Sequence, residues 1–181
     1  VVAFQRMAAG MNVFALMAIP FFVFAGDLMH RAGIAERLIR VADAAFGRMR
    51  GGLGQVDVGA SMLFGAVSGS AIASVSGIGS SLVPMMRDKG YDADYAVNVS
   101  VTSAITGLLI PPSHNMIIYA AAAGVSISLA DLFLAGIVPG ILTGLLLMLV
   151  AWIVAVRRNY PSGSFPGFRA FFVAFAGALP G

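Results

Sequence analysis

Residues 65–81 read GAVSGSAIASVSGIGSS, and their reading decides the fold. These seventeen residues hold six serines and four glycines. Such a run suits a tight, polar turn. Yet it lies inside a stretch, Val58 to Met86, that carries no charge. As one straight helix that stretch would be about 43 Å long at about 1.5 Å per residue. Its centre, GAVSGS, makes poor helix interior, because glycine costs about 1 kcal/mol against alanine there. Two half-helices meeting near Ser68–Ser70 answer the pattern. Each would reach partway into a membrane, as a re-entrant hairpin.

The whole chain supports lipid as the solvent. Of 181 residues, 59% are hydrophobic and only 10% charged, where soluble domains carry about a quarter. Mean hydropathy is +0.92. The fold class expected is an all-α integral membrane protein. The chain has no cysteine, which excludes a disulfide framework and a thiolate metal site. No basic run is dense enough for nucleic-acid binding. The chain does not begin with Met, and it ends FVAFAGALPG, the start of another apolar segment. It reads as a fragment.

Along the chain, residues 1–29 hold a first transmembrane helix, with MAAGMNVFALMAIPFFVFAG at its heart. About 20 such residues cross a hydrocarbon core of about 30 Å. Residues 30–52 alternate charge with apolar positions at helical spacing, the pattern of an amphipathic interfacial helix. Residues 53–87 form the re-entrant hairpin. Residues 92–128 form a broken transmembrane helix. Its uncharged run from Tyr95 to Ala130 would be about 54 Å long if continuous, but GLLIPPSHN interrupts it. Pro111-Pro112 cannot continue the helical hydrogen bonds. Residues 129–158 form a further transmembrane helix, closed by Trp152, Arg157, Arg158 and Tyr160 as interfacial anchors. Residues 159–181 are a loop and the opening of a next, truncated helix.

Charge gives the orientation. If the hairpin enters and leaves on one side, that side holds Arg31, Arg37, Arg40, Arg48, Arg50, Arg87, Lys89, Arg157, Arg158 and Arg169, against Arg6 alone. If 58–86 crosses fully, the bias nearly vanishes. The positive-inside rule therefore places the hairpin mouth in the cytoplasm.

Non-helical backbone at membrane depth is tolerated where it is buried in protein or lines a wet cavity. Transporters use such breaks to bind solutes and ions. Hydroxyls flank both breaks: Ser68, Ser70, Ser74 and Ser76 at the first, Thr102, Ser103, Thr106 and Ser113 at the second. No carboxylate lies between Val58 and Met86 or between Tyr95 and Ala130. A carboxylate-rich divalent site is excluded there, and a neutral-oxygen site for a monovalent cation fits. The other reading is close helix packing by small residues, with Gly65 and Gly69 at GxxxG spacing. The second break favours binding. His114 also admits a proton-relay role or a structural one. A serine hydrolase centred on Ser70 lacks both an orienting acid and a G-x-S-x-G elbow, so no enzyme is expected.

The residues carry a family resemblance. IPFFVFAGDLMHRAGIAERLI (19–39), GGL (51–53) and ASMLFGAVSGSAIASVSGIGSSLVPMM (60–86) come in order. KGYDADYAVNVSVTSAITGLLIPPSHNMIIYA (89–120) and LFLAGIVPGILTGLLLML (132–149) follow. Together they resemble the large membrane subunit, of the DctM type, of tripartite ATP-independent periplasmic (TRAP) transporters. The resemblance implies a sodium-coupled elevator built from two inverted repeats, of which this chain holds the first. It implies a multi-pass protein of the bacterial inner membrane. The partners implied are a small membrane subunit, a periplasmic solute-binding protein and an organic acid such as a C4-dicarboxylate. Na⁺ is the coupling ion, and no other cofactor or metal is expected. The candidate sodium ligands are Ser68, Gly69, Ser70, Ser103, Thr106, Pro111 and Pro112. The candidate substrate contacts are Ser70, Ser74, Ser113, His114 and Asn115. Ser74 stands where many members carry an acidic residue, a departure that bears on substrate choice. The alternative is a channel or a structural membrane subunit that transports nothing.

Overall fold

The computed structural model describes residues 31–123 and 127–162, with Pro20, Phe21, Phe24 and Leu28 besides. The rest of the first span, the segment after Ser162, and Arg6, Asp27, Ser126 and Arg169 lie outside the described residues. Within them the chain is helical, with one isolated bridge between Arg50 and Ser162.

Helix α1, Ile34–Phe46, follows Gly33 and carries Glu36 in its first turn, where an acidic group suits the helix dipole. Its small residues Ala35, Ala42 and Ala44 are buried, and it packs chiefly on α2. Helix α2, Gly52–Ser68, is the centre of the fold. Thirteen of its 17 residues are buried, and α1, α5, α6 and α8 all pack around it. At about 1.5 Å per residue it is about 25 Å long, shorter than the ~30 Å hydrocarbon core.

Gly69 ends α2. Its φ of 61° is left-handed, and its N–H donates to the Gly65 carbonyl. A side chain would strain that turn. Ser70 is extended and caps the short helix α3, Ala71–Ser74, by accepting from the Ala73 N–H at 3.3 Å. A π-helical turn, Val75–Gly79, leads into α4, Ser80–Asp88. The returning arm packs Ile78, Leu82 and Met86 into one cluster with Phe64 of α2.

Helix α5 is Ala93–Ser103, α6 is Thr106–Leu109 and α7 is His114–Ala122. Between α6 and α7 the backbone is extended at Ile110 and Ser113, and the run from Ala93 to Ala122 bends by 48°. The prolines between remove N–H donors, so the break follows from the sequence. Helix α8, Leu129–Arg157, has 29 residues. It is the one described helix long and apolar enough to cross a membrane alone, and the bent pair passes the same test as a unit. Gly136, Gly140 and Gly144 form a buried stripe on α8 against Met116, Ile110 and Met62. The opposite face exposes Leu134, Val138, Leu142, Leu145 and Leu149. A helix with one small-residue stripe and a wide apolar outer face is built to meet protein on one side and lipid on the other.

Candidate functional site

The two breaks meet. A methyl group at Gly69 would stand 2.5 Å from the Pro112 carbonyl oxygen and 3.2 Å from the Ser113 Cα. Only a bare glycine allows that approach. One turn back, Gly65 and Gly107 let α2 and α6 touch backbone to backbone, and Ser74 lies against the same crossing. The carbonyl-bearing C-terminus of α2 and the N-terminus of α7 therefore converge. The first favours a cation, the second an anion.

Hydroxyls line this crossing. Ser68, Ser74 and Ser113 are all buried. Ser68 Oγ accepts from the Ser70 N–H at 3.4 Å. The Oγ atoms of Ser74 and Ser113 are buried with no hydrogen-bond partner. A buried hydroxyl left unpaired costs about 1–3 kcal/mol, so two of them at one crossing mark a place where a ligand would repay the cost. His114 opens α7 and is half-buried, whereas Asn115 is exposed.

Of the residues expected here, Ser68, Gly69, Ser70, Ser74, Pro112 and Ser113 come to the crossing, with Pro111 beside Pro112 in the break. Thr106 is buried at the start of α6 and donates to the Ser103 carbonyl at 2.6 Å. Ser103 faces elsewhere. Its hydroxyl donates toward Asp57 Oδ1 at 3.0 Å.

That contact belongs to a second polar cluster. Asp57, one and a half turns into α2, is 0% exposed. Ser61 reaches its Oδ1 at 3.4 Å, and Ser100 donates to its Oδ2. Ser61 stands four residues on from Asp57 along α2, and Ser103 three on from Ser100 along α5, so each pair shares a helix face. In the sequence Asp57 only borders the uncharged stretch that begins at Val58, and the structure buries it. The signal was present in the spacing, since Ser61 follows at i+4.

At the other end of α5 a polar latch joins it to α8. Arg158 pairs with Asp92 at 2.8 Å and Asp94 at 3.0 Å. Tyr160 donates to Asp92 Oδ2 at 2.7 Å. The Tyr160 hydroxyl and the Arg158 guanidinium hold the Asp92 carboxyl below its ordinary value. The rings of Tyr91, Tyr95 and Tyr160 pack together at 4.5–5.9 Å between centroids.

Comparison with known proteins places this architecture. The family model of the tripartite ATP-independent periplasmic transporter, DctM component, matches residues 1–178. The chain belongs to the DctM family. An uncharacterized protein YgiK of Salmonella typhimurium is 45% identical over 97% of the chain and 40% of its own length. The sialic acid TRAP transporter permease protein SiaT of Haemophilus influenzae is 42% identical over 88% of the chain and 26% of its own. The C4-dicarboxylate TRAP transporter large permease protein DctM of Vibrio cholerae is 42% identical over 86% of the chain and 34% of its own. The chain thus spans 40% or less of the length of these three relatives. DctM-family relatives are transporter permeases rather than enzymes, and they differ in the substrate that they are named for.

Proposed function

We propose that this chain supplies the first hairpin-and-broken-helix unit of a sodium-coupled importer of an organic acid. In the full-length protein it would work in the bacterial inner membrane with a small membrane subunit. A periplasmic solute-binding protein would deliver the acid. The observation that carries this reading is the meeting of the breaks at Gly69 and Pro112–Ser113, with two buried, unbonded hydroxyls beside them.

Sodium takes oxygen ligands and tolerates neutral ones. The end of α2 and the Ser68 and Ser70 oxygens provide such donors. The N–H groups at the start of α7, with the Ser113 hydroxyl, suit a carboxylate. Adjacent sites of opposite preference explain coupling in physical terms. A bound cation lowers the cost of placing an anion next to it, because charges a few ångströms apart interact strongly away from water. The 17 residues of α2 make a helix of about 25 Å, short of the ~30 Å hydrocarbon core, which suits a re-entrant arm.

Uptake by the full-length protein and its partners, reconstituted in vesicles, tests the proposal. A panel of carboxylates is offered with and without a sodium gradient. Saturable uptake of at least one acid that stops without sodium is expected. Linear, unsaturable flux would point to a channel, and no flux for any acid to a structural subunit.

A further inference from the structure

We propose that Asp57, Ser61, Ser100 and Ser103 form a binding site for a single sodium ion at the base of the hairpin. It stands apart from the crossing of the breaks. Asp57 lies about 16 Å along the axis of α2 from Ser68 at about 1.5 Å per residue. Neither site needs the other.

Two observations point to a missing positive charge. First, Asp57 is 0% exposed and its partners are hydroxyls alone. Among the described residues no Lys, Arg or His bonds to it. Buried charges are ordinarily paired or coordinate a metal, because an isolated one is very costly to desolvate. Hydroxyls spread the charge without cancelling it.

Second, the cluster has more close contacts than protons. Asp57 meets Ser61, Ser100 and Ser103, and Ser103 Oγ also stands 3.1 Å from Ser61 Oγ and 3.1 Å from the Ser100 carbonyl. Those five oxygen–oxygen contacts share three hydroxyl protons. Each hydroxyl donates once and accepts with its remaining lone pairs. Some of the contacts are therefore left without a hydrogen between the oxygens. A cation at the centre resolves both problems. It neutralises Asp57, and the freed lone pairs of the three serines and the Ser100 carbonyl turn to it. An all-oxygen set with one carboxylate matches a hard, singly charged ion.

Ser100 also lies at the floor of a largely apolar surface groove between the π-helical turn and α5, with Val75, Val83 and Val97. The site bridges α2, which ends at the first break, and α5, which leads through α6 to the second. A bound ion there would hold the hairpin arm against the broken helix.

Equilibrium binding of ²²Na⁺ to the purified full-length protein tests this. Asp57→Asn is expected to bind fewer ions than the wild type, by a single ion. Gly69→Ala, which blocks the crossing, is expected to keep the Asp57 ion. Ser100→Ala keeps the carboxylate and should weaken one class of sites about tenfold, the worth of one hydrogen-bonding oxygen next to a charge. It decides the matter if Asp57→Asn does not fold. Unchanged ²²Na⁺ binding in Ser100→Ala and Asp57→Asn overturns the proposal. So does unchanged binding in Asp57→Asn with a lost pH dependence of uptake, which would give the site to a proton. If Gly69→Ala loses no ion while Asp57→Asn does, this site stands and the cation site at the breaks falls.

Discussion

Gly69 holds its place for two separate reasons: its φ is left-handed, and the Pro112 carbonyl occupies the space where a Cβ would go. The backbone term alone costs about 1–2 kcal/mol for a non-glycine residue. Gly69→Ala should therefore displace the tip and lower sodium-dependent uptake at least about tenfold, since each 1.4 kcal/mol is a factor of ten. Ser74→Ala and Ser113→Ala should behave differently. Their oxygens have no partner, so their loss should leave thermal stability unchanged or raise it by up to about 1 kcal/mol. If they serve a ligand, the apparent KM for solute or sodium should still rise. A loss of stability with unchanged KM would make them structural. The hydroxyls around both breaks can be read from the sequence, because serine and threonine stand out in an uncharged run. Asp57 cannot be placed so simply. A carboxylate at the edge of an apolar stretch looks solvated until α5 brings Ser100 and Ser103 over it, and that pairing is separated by 43 and 46 residues.

At the level of elements, the breaks are legible because proline and glycine act locally. Pro111 and Pro112 remove donors, and Gly69 permits a turn that other residues resist. What local chemistry does not encode is the crossing itself, which needs the small pair Gly65 and Gly107 at one point of α2 and α6. The latch between α5 and α8 likewise joins distant segments, Asp92 and Asp94 with Arg158 and Tyr160. Its charges are exposed, and salt weakens such pairs. Its pH behaviour has a definite sign. The Asp92 carboxyl is held below its ordinary value, so its contribution is complete above about pH 4 and fades as the pH falls through the lowered value. Arg158→Ala should lower Tm modestly at pH 7, and the gap from wild type should close as the pH drops below about 4. A gap independent of pH would mean that Arg158 acts by packing its stem rather than by its charge.

Across the molecule, the composition reveals a membrane protein, and the motifs in order reveal the DctM family that comparison establishes. The outer face of α8 is apolar along its length. Lipid and leucine are equally apolar, so close packing and hydrogen bonds must hold such helices together. The Gln55 side chain donating to the Met148 carbonyl at 3.0 Å is one such tie between α2 and α8. The proposed orientation has its own test. Single cysteines at Lys89 and Arg158 should be labelled from one side of the membrane, and a cysteine at Ser128 from the other. Labelling of all three from one side would refute the topology. The central claim is that the two breaks form one sodium-dependent site. Its most direct measurement is the sodium activation curve of solute uptake by the reconstituted full-length protein and its partners, wild type against Gly69→Ala. The account predicts saturable activation by sodium in the wild type and its loss in Gly69→Ala at equal protein amounts. Uptake by Gly69→Ala with the wild-type sodium curve would contradict it.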